Sequence, residues 1–487
     1  MIRPTLEEVR RLSGSGDLIP IAMELYADIM TPVTALKIIQ AGGGEAFLLE
    51  SAPGGENWGR YTFLGYDPVM ELSGGCGRVR VKRREGETVR EGDAGRILKE
   101  ILTSRRSPRL DFMPPFTGGF AGYFAYEYFG LSEGAPKASE KDDVGFDDFR
   151  LLCFDKVIAF DNLRQKISLI VNIESADAER NYIRGVTQLK DMETLLLSGK
   201  TDEDAPSGIV SEFSASFSKD AFCETVRKVK WHIREGDVFQ CVPSIRFKAA
   251  YKGDLLGAYR KLRTVNPSPY MFYLRFDDMQ IAGASPETLV SLSDGEAITR
   301  PLAGTCPRVP DETQNDLLVE QLLNDEKELA EHDMLVDLSR NDLGKVCRFG
   351  SVSTDEYRSV KKLSHVCHIA SKVSGKITDD HDALDVLAAV LPAGTLSGAP
   401  KKRACEIIDD IEGVKRGVYG GAVGYIDFTG NMDMCIGIRM AVLKDGFVYA
   451  QAGAGIVDDS VPEKEYEECL RKAGAVIEAL LGEEDEL

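Results

Sequence analysis

The feature that most constrains this chain is a succession of strand-like runs with nothing helical between them. Tyr270–Leu274, Gln280–Ala284 and Thr288–Leu292 follow one another across short turn signals. Strands in runs, with few long helices among them, suggest largely antiparallel sheets. Earlier runs at Ala46–Leu49, Val157–Phe160 and Ile167–Val171 mix with Gly-rich loops. Later ones alternate at His365–Ile377, Gly421–Phe428, Met434–Val442 and Phe447–Gln451. Helical spacing marks Ser218–Ile233, one long amphipathic helix over Leu317–Leu338, and a last helix from about Pro462 to Leu481. No βαβ alternation and no internal repeat accompany them. The expected class is α+β, with largely antiparallel sheets flanked by helices.

A chain of 487 residues exceeds what one core usually organises. The polar, Gly/Pro-bearing stretch SGKTDEDAPSGIVS at 198–211 is the clearest linker and divides an N-terminal region, 1–197, from a C-terminal one, 212–487. The formal charge of −20 argues against nucleic acid or an anionic membrane as partner. The N-terminus MIRPTLEEVRRL carries charges where a signal peptide needs an apolar run, and no stretch reaches membrane-spanning length. Ten cysteines stand singly, without the Cys-x-x-Cys spacing of zinc or redox sites. The expected setting is cytoplasmic, with reduced thiols.

Two helices carry paired carboxylates. Glu328 and Glu331 stand three apart in the first; Glu465, Glu468 and Lys472 share one face of the last. A solvated surface face accounts for such a helix about as well as a site does. The last helix, however, follows the loop Gly453-Ala454-Gly455, and a Gly-rich loop ahead of a helix offers N–H groups to an anion. Ser460 and Glu463 have capping-box spacing, and Pro462 suits the first turn. An anion loop beside carboxylates is consistent if a hard cation lies between ligand and protein; Mg²⁺ prefers such oxygens. His332 is turned about 100° from Glu331 on a helix. On a strand, His365 and His368 point to opposite faces, so they make no metal pair.

The segments GDVFQCVPS (Gly236–Ser244), ASPETLV (Ala284–Val290), RPLAGT (Arg300–Thr305), DEKELAEHDMLVDLSRND (Asp325–Asp342), PAGTLSGAPK (Pro392–Lys401), CIGIR (Cys435–Arg439) and QAGAGIVDDSVPEKEYEECLRKA (Gln451–Ala473) resemble, in order, the chorismate-utilising enzymes. Within them the chain is most similar to the large subunits of anthranilate synthases. The resemblance implies that Glu331 and Glu468 ligate Mg²⁺, with Glu328 and Glu465 acting through water. Chorismate carboxylates would be bound by Gly304, Thr305, Tyr419, Arg439 and Gly453, Ala454 and Gly455, with Lys472 adding positive charge. Glu287 would be the general acid for departure of the C4 hydroxyl. His368 would serve pyruvate elimination, with Thr395 lining the pocket.

Relatives making aminodeoxychorismate often carry a nucleophilic lysine where this chain has Ala303. Isochorismate and salicylate synthases carry a water-activating lysine where it has Gln240. Ammonia and anthranilate are therefore the expected nucleophile and product. Aminodeoxychorismate synthesis, or a catalytically silent tryptophan-binding regulator, are the alternatives. LLES and NPSPYM resemble a feedback site for L-tryptophan built from Glu50, Ser51, Pro269, Tyr270 and Met271. Gly74-Gly75-Cys76-Gly77-Arg78 lacks the nucleophile-elbow form of a glutaminase. A separate glutamine amidotransferase subunit, in a heterotetramer, is thus the implied ammonia source. Cys306, Cys367 and Leu391 depart from the pattern, where arginine, methionine and phenylalanine are usual.

Overall fold

The computed structural model describes residues 2–51, 59–75, 77–131, 139, 141–202, 206–309, 311–362 and 366–481. Two large sheets, of 13 and 12 strands among the described residues, form the body. Pairing is antiparallel among the described residues, and of the three consecutive strands Tyr270–Arg275, Met279–Ser285 and Thr288–Ser293 only the first two are partners. The first two form a tight hairpin, while the third leaves for the second sheet after Ser285. The sheets pack face to face. Phe47 of one lies edge-on to Phe154 of the other at 4.8 Å, and Phe63 meets Tyr425 at 6.0 Å. Burying each such ring contributes about 1.5–3 kcal/mol.

Helices Pro32–Ala41, Ala178–Ser198, Leu256–Val265 and Pro462–Leu480 cover the outer face of the first sheet. Lys219–Arg234 and Lys401–Glu412 pack with the middle of the last helix into a smaller core. Residues 208–209 of the expected linker pair with Lys252 and Tyr251, and Ser198 closes a helix. Strands from both sides of 198–211 share both sheets. Ala46–Glu50 lies beside Tyr270–Arg275, and Gly119–Phe124 beside Ala422–Asp427.

Three expectations are corrected. The single helix over Leu317–Leu338 is two, Glu312–Asn324 and Glu326–Gly344. Asp325 leaves the helical conformation between them, and its carboxylate accepts from the Lys327 and Glu328 N–H groups at 2.9 and 3.2 Å. Both pieces are amphipathic, so apolar spacing hides the break. Met434–Val442 is likewise two strands, Met432–Ile436 and Met440–Lys444, in different sheets. Between them Arg439 takes φ 51°. The Ser460/Glu463 capping box does not form: the cap position is Val461, and Ser460 Oγ accepts from Val457 N at 3.2 Å. Pro462 does open the helix. His365 and Cys76 lie outside the described residues.

Candidate active site

Two walls carry the expected groups. The first is the Glu326–Gly344 helix with strands Leu302–Pro307 and Val366–Lys376. A strand bulge between Ala303 and Thr305 puts Gly304 at φ 73°, and a Cβ there would meet Glu328 Oε2 at 3.3 Å. The Thr305 N–H donates to the Glu328 carboxylate. Thr305 pairs in register with His368, whose Nδ1 lies 2.9 Å from Thr305 Oγ1 and 3.3 Å from Gly304 O. A carbonyl only accepts, so Nδ1 carries the proton and Nε2 the lone pair. Burial pushes the His368 pKa below its ordinary value, and the Arg439 charge adds to this, so the ring is a neutral base.

The second wall is the last helix with strand Phe447–Gly453. Lys472 Nζ lies 2.8 Å from Glu468 Oε1 and donates to Gly453 O at 3.1 Å. Arg439 Nη1 donates to Lys472 O at 3.0 Å. A Cβ on Gly453 would come within 3.0 Å of the Tyr419 hydroxyl, so only glycine lets these groups converge. The left-handed Arg439 is a strained non-glycine residue, of the kind that clusters at functional sites. Ala454 is less suited to anion binding than its loop suggests, since its N–H already donates to Pro243 O at 3.2 Å.

Glu287 sits where strand Thr288–Ser293 begins and accepts from Thr395 Oγ1 at 3.1 Å. Burial raises its carboxyl to about 7, with Thr395 and Lys472 working against the rise. It is therefore substantially protonated at neutral pH, as a general acid must be.

Gln240 bridges the walls. Its Nε2 donates to Glu331 Oε1 at 3.0 Å and lies against Gly455, where a Cβ would be 2.8 Å away. From sequence Gln240 was informative only as an absent lysine; its role as partner of Glu331 depends on a fold contact no local pattern shows. The glutamates form an all-oxygen donor set. Burial, then the neighbouring carboxylate Glu331, raises Glu328; burial, opposed by Ser460 but reinforced by Glu468, raises Glu465. Burial also raises Glu468, but Lys472 and Arg471 outweigh it and leave that group low. Crowded carboxylates of this kind fit a hard cation that keeps waters in its shell. The four do not close into a ligand trio of their own. Among the described residues the trio within 4.8 Å is Glu45, Glu71 and Asp277, where Lys82 and Arg150 already sit on Asp277 and Glu71.

A separate cleft of about 310 Å³ is lined by Glu50, Ser51, Pro269, Tyr270 and Met271, which come together as expected. The Glu50 carboxylate itself is turned to the Leu256–Val265 helix, where Tyr259 and Arg263 donate to it. Arg60, Tyr61, Asp433 and Cys435 are among the further residues that line it. Sequence reading missed them: Asp433 and Cys435 come from a strand distant along the chain, and no local pattern marks Arg60 and Tyr61. Tyr270 OH donates to Asp433 Oδ1 at 2.9 Å and lies 3.0 Å from Thr288 Oγ1. Thr288 and Arg300 line both this cleft and the small one holding Glu287 and Thr395.

Residues 45–478 match the family described as chorismate binding enzyme, and the chain belongs to that family. It is 42% identical to anthranilate synthase component 1 of Acetivibrio thermocellus, over 99% of each chain. It is also 42% identical to anthranilate synthase component 1 of Aquifex aeolicus, over 98% of this chain and 97% of that one. Anthranilate synthase component I from Streptococcus pneumoniae superposes with a TM-score of 0.75 at 33% identity, covering 93% of this chain and 98% of that chain.

Proposed function

We propose that the chain is the chorismate-aminating large subunit of an anthranilate synthase, converting chorismate and ammonia to anthranilate and pyruvate. The observation that carries the reading is Glu287, a carboxyl raised to about 7 and oriented by Thr395 beside Lys472. As ammonia adds at C2 of chorismate, Glu287 protonates the departing C4 oxygen, giving aminodeoxyisochorismate. Neutral His368, its Nδ1–H tied to Gly304 O, then takes the ring proton whose loss expels pyruvate and aromatises the ring. Arg439, Lys472, Tyr419 and Thr305 hold the carboxylates. Glu331 and Glu468, with Glu328 and Glu465 behind them, would hold Mg²⁺. When bound, the ion supplies fixed positive charge for the ring carboxylate. Ala303 and Gln240 offer neither a covalent nucleophile nor a base for water, which favours ammonia over the alternatives.

The test is incubation of the purified chain with chorismate, Mg²⁺ and ammonium, read by anthranilate fluorescence. Absence of anthranilate from folded, metal-loaded protein would sink the reading.

The cleft around Ser51 and Tyr270 we assign to feedback inhibition by L-tryptophan. Supporting this, Thr288, one residue from the catalytic Glu287, belongs to that cleft as well. Ser51→Ala is expected to keep turnover and weaken inhibition; unchanged sensitivity to tryptophan counts against the assignment. Ammonia would come from a glutamine amidotransferase partner in a heterotetramer. The nine described cysteines, all free and buried, suit a cytoplasmic setting. No helix among the described residues is long and apolar enough to cross a membrane.

A further inference from the structure

Cys306 and Cys367 face one another as direct Cα partners across strands Leu302–Pro307 and Val366–Lys376. Next to them in the same ladder, Thr305 opposes His368. Both thiols are buried, 7% and 0% exposed, in a small apolar cluster with Leu322 and Ile369, and they interact directly with each other. Both are free. The other seven described cysteines lie elsewhere along the chain. Directly opposed strand residues have Cα atoms about 4.5–5.5 Å apart, inside the roughly 4.4–6.8 Å span of disulfides.

We propose that Cys306 and Cys367 are an oxidation site: a dithiol that peroxide converts to a disulfide, clamping the strand pair that carries Thr305 and His368. In the first step the Cys306 sulfur attacks a peroxide oxygen; the O–O bond breaks and a sulfenic acid and water result. The Cys367 sulfur then attacks the sulfenic sulfur and expels a second water as the S–S bond forms. The two thiols lose two electrons and two protons, and hydrogen peroxide becomes two waters. Burial holds the Cys306 thiol protonated, so the first step is slow beside that of exposed sensor cysteines. The second step is intramolecular and fast. Access comes from topology, because Leu302–Pro307 is the edge strand of its sheet and an edge opens locally at low cost.

The clamp has a catalytic consequence. Opposed Cβ atoms in a ladder sit about 4.5–5.5 Å apart, whereas a disulfide draws them to about 3.8 Å. The shift of about 1 Å falls one residue from the Thr305–His368 pair. Displacements of that size at a reacting centre cost up to about a hundredfold in rate.

The experiment treats the full-length, Mg²⁺-supplemented protein with hydrogen peroxide. It then reads intact mass, a non-reducing peptide map and ammonia-dependent anthranilate formation, before and after a dithiol reductant. The expected result is a chain lighter by two hydrogens and a Cys306–Cys367 cross-link. Turnover falls on the order of tenfold or more and returns on reduction. Cys367→Met, which replaces the thiol with a larger thioether that cannot form a disulfide, and Cys306→Ser are both expected to lose the cross-link and the reversible inactivation. Either variant that folds, judged by circular dichroism, serves the comparison. Three results would overturn the proposal: a map with no such cross-link although the same peroxide oxidises the unfolded chain, a cross-link without loss of turnover, or reversible inactivation that persists in Cys367→Met.

Discussion

In the proposed reaction, protonation sets when Glu287 and His368 can act. A general acid works while protonated, and Glu287 loses its proton as pH rises through about 7, so turnover should fall above that point. A general base works while neutral, and His368 is held below its ordinary value, so the acid limb should lie below the usual histidine range. A pH profile of kcat for the parent and for Glu287→Gln checks both, since the variant should lose the alkaline limb along with most activity. Gln240 acts one step removed. Removing the donor that fixes Glu331 should weaken Mg²⁺ binding by about 10–100-fold, the usual cost of losing a partner of a ligand. Calorimetric titration of Gln240→Ala with Mg²⁺ measures this, and an unchanged affinity would remove Glu331 from the metal reading. Ordered motifs named the candidate site residues; most of their contacts were not legible. Gln240 meets Glu331 across 91 positions, and no local pattern encodes that contact.

Among the elements, Asp325 has the widest reach. It ends one helix and caps the next, which carries Glu328 and Glu331. Asp325→Ala removes both cap hydrogen bonds and should cost about 1 kcal/mol, seen as a lower midpoint in thermal unfolding. A variant as stable as the parent would mean the cap contributes nothing. Apart from the two merged elements, the runs named from sequence match strands and helices to within three residues because their periodicity is strong, whereas strands such as Tyr61–Tyr66 and Phe149–Phe154 and helices such as Pro32–Ala41 and Lys401–Glu412 were not named. The two merged elements failed for one physical reason. A single residue in a non-helical or left-handed conformation, Asp325 or Arg439, breaks an element without disturbing the apolar spacing on either side. Arg439 as a residue was expected to bind substrate, but its turn between two sheets was not foreseen.

Across the whole molecule, the α+β class was legible, but the order of strands within the sheets was not, since register between distant strands depends on pairing partners that periodicity does not name. In each sheet residues 1–197 supply one unbroken block of strands and the C-terminal region supplies the other, and the two blocks meet at a single strand pair. Expressed alone, residues 212–487 would expose the edges of Tyr270–Arg275 and Ala422–Asp427. That fragment should aggregate, while co-expression with residues 1–197 should rescue soluble protein; size-exclusion chromatography of each preparation decides, and a soluble, monomeric 212–487 would contradict it. The same two seams govern synthesis. When Ala46–Glu50 and Gly119–Phe124 leave the ribosome, the strands that will flank them, Tyr270–Arg275 and Ala422–Asp427, have not been translated. Each N-terminal block therefore keeps one sticky, unpaired edge during synthesis, the first until Tyr270–Arg275 is made and the second until Ala422–Asp427 is made. For this protein, holding the early half in a folding-competent state is a task for the cell before any chemistry begins.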